Sequence, residues 1–243
     1  MRPVARGARP VDEEGVGRDF AEYAHARPHL IERMGDYCSF CEMQLSAALA
    51  VEHIRHKNGN PQLERQWENF LLACPSCNST KGTKVSSAHD VTCRLWPHTD
   101  RTFDVYHYES GGRVSLVPVS DASLAQRAEA TEAMLGLTRQ PGDGLTAEQI
   151  KRGSDNRWKK RREAWDEAVS ARTDLLEADT PVVRRKILAV ARAQGFWSVW
   201  MTVFRDDPEM QRDLCMAFRG TDVGRVYPLP PHLRRHLRDQ PEG

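Results

Sequence analysis

Two Cys-x-x-Cys pairs place the strongest constraint on how this 243-residue chain folds. The first pair is Cys38 and Cys41, and the second is Cys74 and Cys77. Four thiolates suit Zn2+, and a zinc ion with four protein ligands has no open position for a substrate. We therefore predict one structural zinc site that joins the two pairs. The alternative is that these cysteines form disulfides in a secreted domain. The opening sequence contains no apolar signal-peptide stretch, which disfavours that alternative.

The other cysteines and the composition bear on the cellular setting. Cys93 and Cys215 have no Cys-x-x-Cys partner, and we expect them to be reduced thiols in a cytoplasmic protein. No apolar run approaches the ~20 residues that span a bilayer, so no membrane partner is expected. The chain carries 35 basic and 34 acidic residues. Any basic surface that binds nucleic acid must therefore be local.

The segment between the cysteine pairs has a regular plan. Residues 50–54 read as a short strand that ends in the dipeptide Glu52-His53, and a turn-rich stretch follows. Residues 67–73 read as a return segment. We expect a helix to open at Asn78, directly after the second pair. Alone, a Glu-His dipeptide is more typical of a solvated strand end, and a lone Asn of a helix N-cap.

Inside the cysteine frame these residues resemble the HNH endonucleases. The zinc frame, Glu52-His53, a central Asn69 and the Asn-x-x-Lys from Asn78 to Lys81 occur in that order within residues 37–84. The resemblance implies an α+β fold, in which a small zinc-stabilised ββα-metal nuclease core precedes a mostly α-helical C-terminal region. It also implies a metal-dependent endonuclease that hydrolyses phosphodiester bonds.

The resemblance assigns a role to each motif residue. His53 corresponds to the general base, and Glu52 to the acidic ligand of a catalytic ion. Asn69 corresponds to the residue that braces the catalytic loop and orients the histidine. Asn78 corresponds to the second ligand of that ion and completes the catalytic set with His53 and Asn69. Lys81, one turn further on, is expected to contact a phosphate.

This assignment agrees with the chemistry of phosphodiester hydrolysis. A histidine whose pKa lies near neutrality can accept a proton from water, and a divalent cation stabilises the developing negative charge. Carboxylate and amide oxygens favour Mg2+ or Mn2+. Glu42 and His56 remain alternative ligands that would change the metal.

Three regions are expected: an N-terminal arm and helix at 1–36, the HNH core with its zinc site and a β-hairpin at 37–120, and a helical region at 121–243. The hairpin is expected around Gly111 and Gly112. Trp197, Trp200 and Phe204 follow helical spacing and are expected in the core. The C-terminal helices are predicted at 122–135, from a cap at Thr146 or Asp155 to about 176, and at 181–194, 196–204 and 208–218.

A basic run at residues 151–162 holds seven basic residues and one acid. A helix with such a face can follow a phosphate backbone, although a solvated helix face is the plainer interpretation. The residues expected to contact nucleic acid are Lys81, Lys84, Lys159, Lys160, Arg161 and Arg162.

The layout of the chain is similar to the HNH component of anti-phage systems of the Septu and retron type. That resemblance implies cleavage of DNA or RNA, with DNA as the expected substrate, and an ATPase as a partner. Two alternatives stay open: a ribonuclease, and a zinc-stabilised interaction module without catalysis.

Overall fold

The computed structural model describes residues 1–140 and 155–228. The predicted cap at Thr146, the first residues of the basic run and the Pro-rich C-terminal tail lie outside these ranges. Within them, no helix is both long and apolar enough to cross a membrane.

The described residues form an α+β fold, which confirms the predicted class. Short 3-10 turns at Tyr23–Ala26, Lys57–Gly59, Pro61–Leu63, Trp67–Asn69, Thr102–Val105 and Ser110–Gly112 connect the longer elements. The strands are β1 Ala50–His53, β2 Phe70–Ala73, β3 Tyr106–Glu109 and β4 Arg113–Leu116. The helices are α1 Arg27–Met34, α2 Pro75–Lys81, α3 Ala88–Thr92, α4 Ala122–Leu135, α5 Arg157–Glu177, α6 Pro181–Gln194, α7 Trp197–Val203, α8 Pro208–Ala217 and α9 Val223–Val226.

Strands β1 and β2 pair antiparallel, and α2 packs against both of them. Glu52 lies opposite Leu71 and His53 opposite Phe70 in this pairing. Helix α2 begins three residues before the predicted Asn78, because the second cysteine pair starts it. The Cys74 sulfur accepts a hydrogen bond from the Cys77 N–H at 3.3 Å. Pro75 stands in the first turn, where a backbone N–H would have no partner within the helix, so its absence costs little.

Local capping signals set the helices of the C-terminal region. The Asp121 carboxylate caps α4, which ends before Gly136 as predicted. The Thr180 hydroxyl accepts from the Val183 N–H and caps α6, which ends before Gly195 as predicted. Helix α5 starts at Arg157, two residues after the predicted cap Asp155. The predicted β-hairpin is present as β3 and β4.

Two glycines let the helical region approach the core closely. Gly112, at a φ of 74°, turns the β3–β4 hairpin, and a Cβ there would overlap the Trp158 carbonyl at the start of α5. Gly195, at a φ of 79°, follows α6, and a Cβ there would overlap the Glu42 carbonyl beside the first cysteine pair. Neither position has room for a side chain.

The aromatic stripe of the last helices is buried, which confirms its predicted place in the core. Trp197, Trp200 and Phe204 are each at most 1% exposed. They form a cluster with the buried faces of α5, α6 and α8. A second buried cluster surrounds β1 and β2 and includes the four paired cysteines, parts of α1 and α4, and Ala164 of α5.

Candidate metal and nuclease site

The four paired cysteines converge on one point, as their spacing predicts. Their sulfurs all lie within 4.8 Å of one another, and all four residues are buried. The Cys41 and Cys74 sulfurs are 3.6 Å apart. Tetrahedral zinc with bonds of about 2.3 Å separates its sulfurs by roughly 3.8 Å. The number, type and spacing of these ligands therefore fit a structural Zn2+.

Backbone hydrogen bonds shape the first cysteine pair and join it to the strands. The Glu42 N–H donates to the Cys38 carbonyl at 2.9 Å, and the Cys38 N–H donates to the Met43 carbonyl at 2.9 Å. The Ser39 N–H donates to the Leu72 carbonyl of β2 at 2.8 Å. The sheet thus brings the first pair to the second, which follows β2 directly.

Glu42 has a structural position that its sequence context does not reveal. Its carboxylate accepts from the Arg2 N–H at 2.6 Å and from the Ser198 N–H and hydroxyl at 2.7 and 2.6 Å. The side chain is buried. Glu42 therefore joins the cysteine frame to the N-terminal segment and to α7. Both of its carboxylate oxygens accept hydrogen bonds there.

His53 ends β1 with its ring held in one orientation. Its Nε2 lies 2.8 Å from the Glu64 carbonyl oxygen. Because a carbonyl only accepts, Nε2 carries the hydrogen, and Nδ1 of the neutral ring keeps a lone pair. Burial lowers the pKa of His53 below its usual value, and the Glu64 carbonyl partly opposes this shift. The neutral ring, which can accept a proton, is therefore favoured.

Residues outside the recognised motif surround this imidazole. The Tyr23 ring, in the 3-10 turn before α1, meets the His53 ring edge to face at 4.9 Å between centroids. The Lys57 ammonium lies 4.2 Å from the Tyr23 ring centroid and 3.2 Å from a Glu64 carboxylate oxygen. Sequence reasoning missed all three residues. Tyr23 is 30 positions upstream of His53, and Glu64 acts through its backbone, which no side-chain pattern signals.

Glu52 is paired with a lysine inside the ββα unit. The Lys81 Nζ is fully buried and donates to Glu52 Oε1 at 2.7 Å and to the His53 carbonyl at 2.6 Å. Burial raises the pKa of Glu52, while the Lys81 charge opposes the rise. The prediction that Lys81 contacts a phosphate is wrong, since its ammonium does not reach the surface.

Asn78 lies on the same helix as Lys81, one turn earlier. Residues three apart share a helix face, so Asn78 and Lys81 lie on the same side of α2. Asn78 is half-buried. The helix that carries Asn78 packs against β1, the strand of Glu52.

Asn69 closes the loop that follows β1. Its Oδ1 accepts from the Arg55 N–H at 2.8 Å, and its Nδ2 donates to the Arg55 and Leu63 carbonyls at 2.9 and 3.2 Å. The side chain is 5% exposed. His56 stands in this loop and accepts from the Gly59 N–H through Nδ1. Asn69 thus connects both ends of the segment that supplies the Glu64 carbonyl.

Replacing Asn69 with alanine is expected to destabilise the fold. The change removes the partner of the Arg55 N–H and of the Arg55 carbonyl, and each such buried group costs about 1–3 kcal/mol; the Leu63 carbonyl keeps its hydrogen bond from the Gln66 N–H. Denaturant unfolding should therefore show a loss in that range or above it while the zinc content is kept. Asn58→Ala, in an exposed position of the same loop, is the matched control and should change stability little. Equal stability of the two variants would contradict the bracing role.

The predicted nucleic-acid residues divide between surface and interior. Lys159, Lys160 and Arg162 are exposed on α5. Lys160 pairs with Glu163 at 2.8 Å. Arg161 is 2% exposed and donates to the Gly112 and Leu137 carbonyls at 2.8 and 3.0 Å. The expectation that Arg161 contacts nucleic acid is therefore corrected, because its guanidinium is buried.

Lys84 also makes backbone contacts. Its Nζ donates to the Ala133 and Met134 carbonyls at the end of α4, both at 3.1 Å. A cation there satisfies carbonyls that lack a helical partner. The residue is exposed, and its contact with nucleic acid stays a prediction.

Comparison with known proteins agrees with this geometry. Residues 37–84 match the family model described as HNH endonuclease. The Septu protein PtuB of Bacillus thuringiensis is 35% identical over 65 residues. That alignment covers 26% of this chain and 25% of the relative, so the chain spans about a quarter of the length of the curated protein it matches. With the four-cysteine frame, the match shows that residues 37–84 are a domain of the HNH endonuclease family.

Proposed function

We propose that the chain is a metal-dependent endonuclease that hydrolyses phosphodiester bonds in DNA. The observation that carries the proposal is the orientation of the His53 ring. Its Nε2–H is committed to the Glu64 carbonyl, which leaves Nδ1 as the proton acceptor. Glu52 precedes it on the same strand, and Asn78 lies on the helix that packs against that strand.

His53 Nδ1 takes the proton from the water that attacks phosphorus. Glu52, through the carboxylate oxygen that Lys81 leaves free, and Asn78, through its amide oxygen, are the residues that would hold a cation. A bound Mg2+ or Mn2+ supplies charge stabilisation at the phosphate and the leaving oxygen. Asn69 keeps the Glu64 carbonyl in register with His53, and Lys81 holds the Glu52 side chain in place.

The likeness to a Septu protein supports a role in anti-phage defence. We propose that an ATPase partner works with this chain and that DNA is its substrate.

Cleavage assays test the proposal directly. Supercoiled plasmid and single-stranded RNA are incubated with the protein and Mg2+, Mn2+ or EDTA, each with and without the ATPase partner. The expected result is metal-dependent nicking of the plasmid. Cleavage of RNA alone would make the protein a ribonuclease. The absence of cleavage under every condition favours the interaction module, a role with which the 7% exposure of His53 is compatible.

The exposed basic residues of α5 are expected to act in binding. Changing Lys159, Lys160 and Arg162 to glutamine removes up to three phosphate contacts, each contributing roughly 0.9 to the slope of log affinity against log salt. The triple variant should bind duplex DNA more weakly and with a shallower salt dependence. Saturating DNA should restore most of the cleavage rate.

The control for this variant carries the same change in charge elsewhere. Arg185, Lys186 and Arg192 are exposed on α6, and their change to glutamine should leave the salt slope as it was. Equal slopes for both triple variants would mean that the α5 residues form a solvated face or bind a protein.

A further inference from the structure

Arg157, the first residue of α5, reaches the cysteine frame from the helical region. Its Nη1 donates to the Cys77 sulfur at 3.2 Å and to the Leu135 carbonyl at 2.9 Å. Its Nη2 donates to the Gly136 carbonyl at 2.9 Å and pairs with Asp155. The side chain is 1% exposed. A residue 80 positions away in sequence thus touches a predicted metal ligand.

The negative charge of the cysteine frame is the reason why a guanidinium at the Cys77 sulfur would stabilise it. Four thiolates around one Zn2+ carry a net charge of about −2, and an isolated buried charge is costly. The guanidinium brings a positive charge and an N–H donor to the Cys77 sulfur. Groups that hydrogen-bond to metal ligands orient them, and their loss typically weakens metal binding 10–100-fold.

We propose that Arg157 belongs to the zinc centre, where it compensates the charge of the thiolates and holds the Cys77 sulfur on the metal. Asp155 and the two carbonyls at the end of α4 hold the guanidinium in position. The retention of zinc in the HNH domain therefore depends on α5, which lies outside the matched residues 37–84. This proposal rests on zinc binding by the cysteines and is independent of catalysis.

Arg161 provides a matched comparison on the same helix. It lies one turn after Arg157, is 2% exposed and also donates to carbonyls of neighbouring segments, those of Gly112 and Leu137. Within the described residues, its guanidinium makes no hydrogen bond to a cysteine sulfur. Loss of Arg161 should disturb packing as much as loss of Arg157, with a much smaller effect on the metal, because its charge acts on Cys41 without a hydrogen bond to a sulfur.

The test is the rate of zinc release to a colorimetric chelator from the full-length protein under native conditions. Arg157→Gln is expected to raise this rate 10–100-fold over the wild type. Arg161→Gln, which removes no hydrogen bond to a cysteine sulfur, should change the rate far less than Arg157→Gln does. Arg157→Lys, which keeps the charge without the planar fork, should give an intermediate rate. Equal release rates from the Arg157 and Arg161 variants would overturn the proposal.

Spectra of metal-substituted protein separate a contact at sulfur from a loss of packing. With Co2+ in the frame, the sulfur-to-metal charge-transfer bands should shift in Arg157→Lys and stay in place in Arg161→Lys. In wild-type protein loaded with 113Cd, the hydrogens of one arginine guanidinium should show coupling to the metal through the N–H···S bond. An unshifted cobalt spectrum in Arg157→Lys, or a wild-type Arg157 without this coupling, would reduce Arg157 to a packing residue even where Arg157→Gln fails to fold.

Discussion

Replacing Cys74 with serine is expected to remove zinc and unfold the ββα core. Binding of a structural zinc contributes on the order of 10 kcal/mol to folding in small zinc modules, and a whole domain is stable by only about 5–15 kcal/mol. Cys74 has a second task, since its sulfur caps α2. Serine is a poor ligand for a site built for thiolates, whereas its hydroxyl can still accept the hydrogen bond that caps α2, so the expected loss comes from the metal.

Metal analysis and circular dichroism measure this outcome. The variant should contain far less than one zinc per chain and should lose its cooperative thermal transition. Cys93→Ser is the control, because Cys93 lies outside the frame and pairs with His89 on a partly exposed helix end. It should keep both the zinc and the transition. A soluble, zinc-free Cys74→Ser protein with an intact fold would rule out a structural zinc.

Changing His53 to glutamine is expected to abolish cleavage and leave the fold and the zinc in place. General base catalysis contributes about 10²–10⁴-fold to a rate, and an amide at this position cannot accept the proton. The glutamine Nε2–H2 can still donate to the Glu64 carbonyl. That makes it a sharper substitution than alanine, which would leave a cavity beside Tyr23 and Phe70.

The measurement is the cleavage rate at saturating substrate, with zinc content and unfolding midpoint recorded on the same preparation. Gln62→Ala, in the loop after β1, controls for local disturbance and should keep most of the rate. A His53→Gln protein that turns over like the wild type would remove His53 from the mechanism. A protein that is inactive and also depleted of zinc would trace the loss to folding instead.

Local chemistry made several features predictable. The zinc frame depends on two short pairs whose members are three residues apart, so four ligands can be recognised without knowing the fold. Helices α4 and α6 follow the capping residues Asp121 and Thr180 and end before glycines, because capping depends on residues only a few positions apart. The alternation of β3 and β4 around a glycine turn is equally local.

Long-range packing decided the rest. The pattern Asn-x-x-Lys identifies Lys81, yet only the packing of α2 on β1 buries its ammonium against Glu52. The basic run looks uniform in sequence, whereas the position of α5 against the β3–β4 turn buries Arg157 and Arg161 and leaves Lys159, Lys160 and Arg162 outside. Helical periodicity alone indicates that some must face inward, but not which, since that requires the neighbour.

The sequence by itself therefore determined the ligands of the metal frame, the order of the HNH motif and the ends of most helices, because each depends on residues within one or two turns of chain. Only the tertiary structure decided that the Glu64 carbonyl sets the His53 tautomer, that Tyr23 covers its ring, and that Arg157 reaches the Cys77 sulfur. Those contacts join residues 11, 30 and 80 positions apart. Backbone carbonyls and distant side chains meet only when the chain has packed, and no local pattern encodes their meeting.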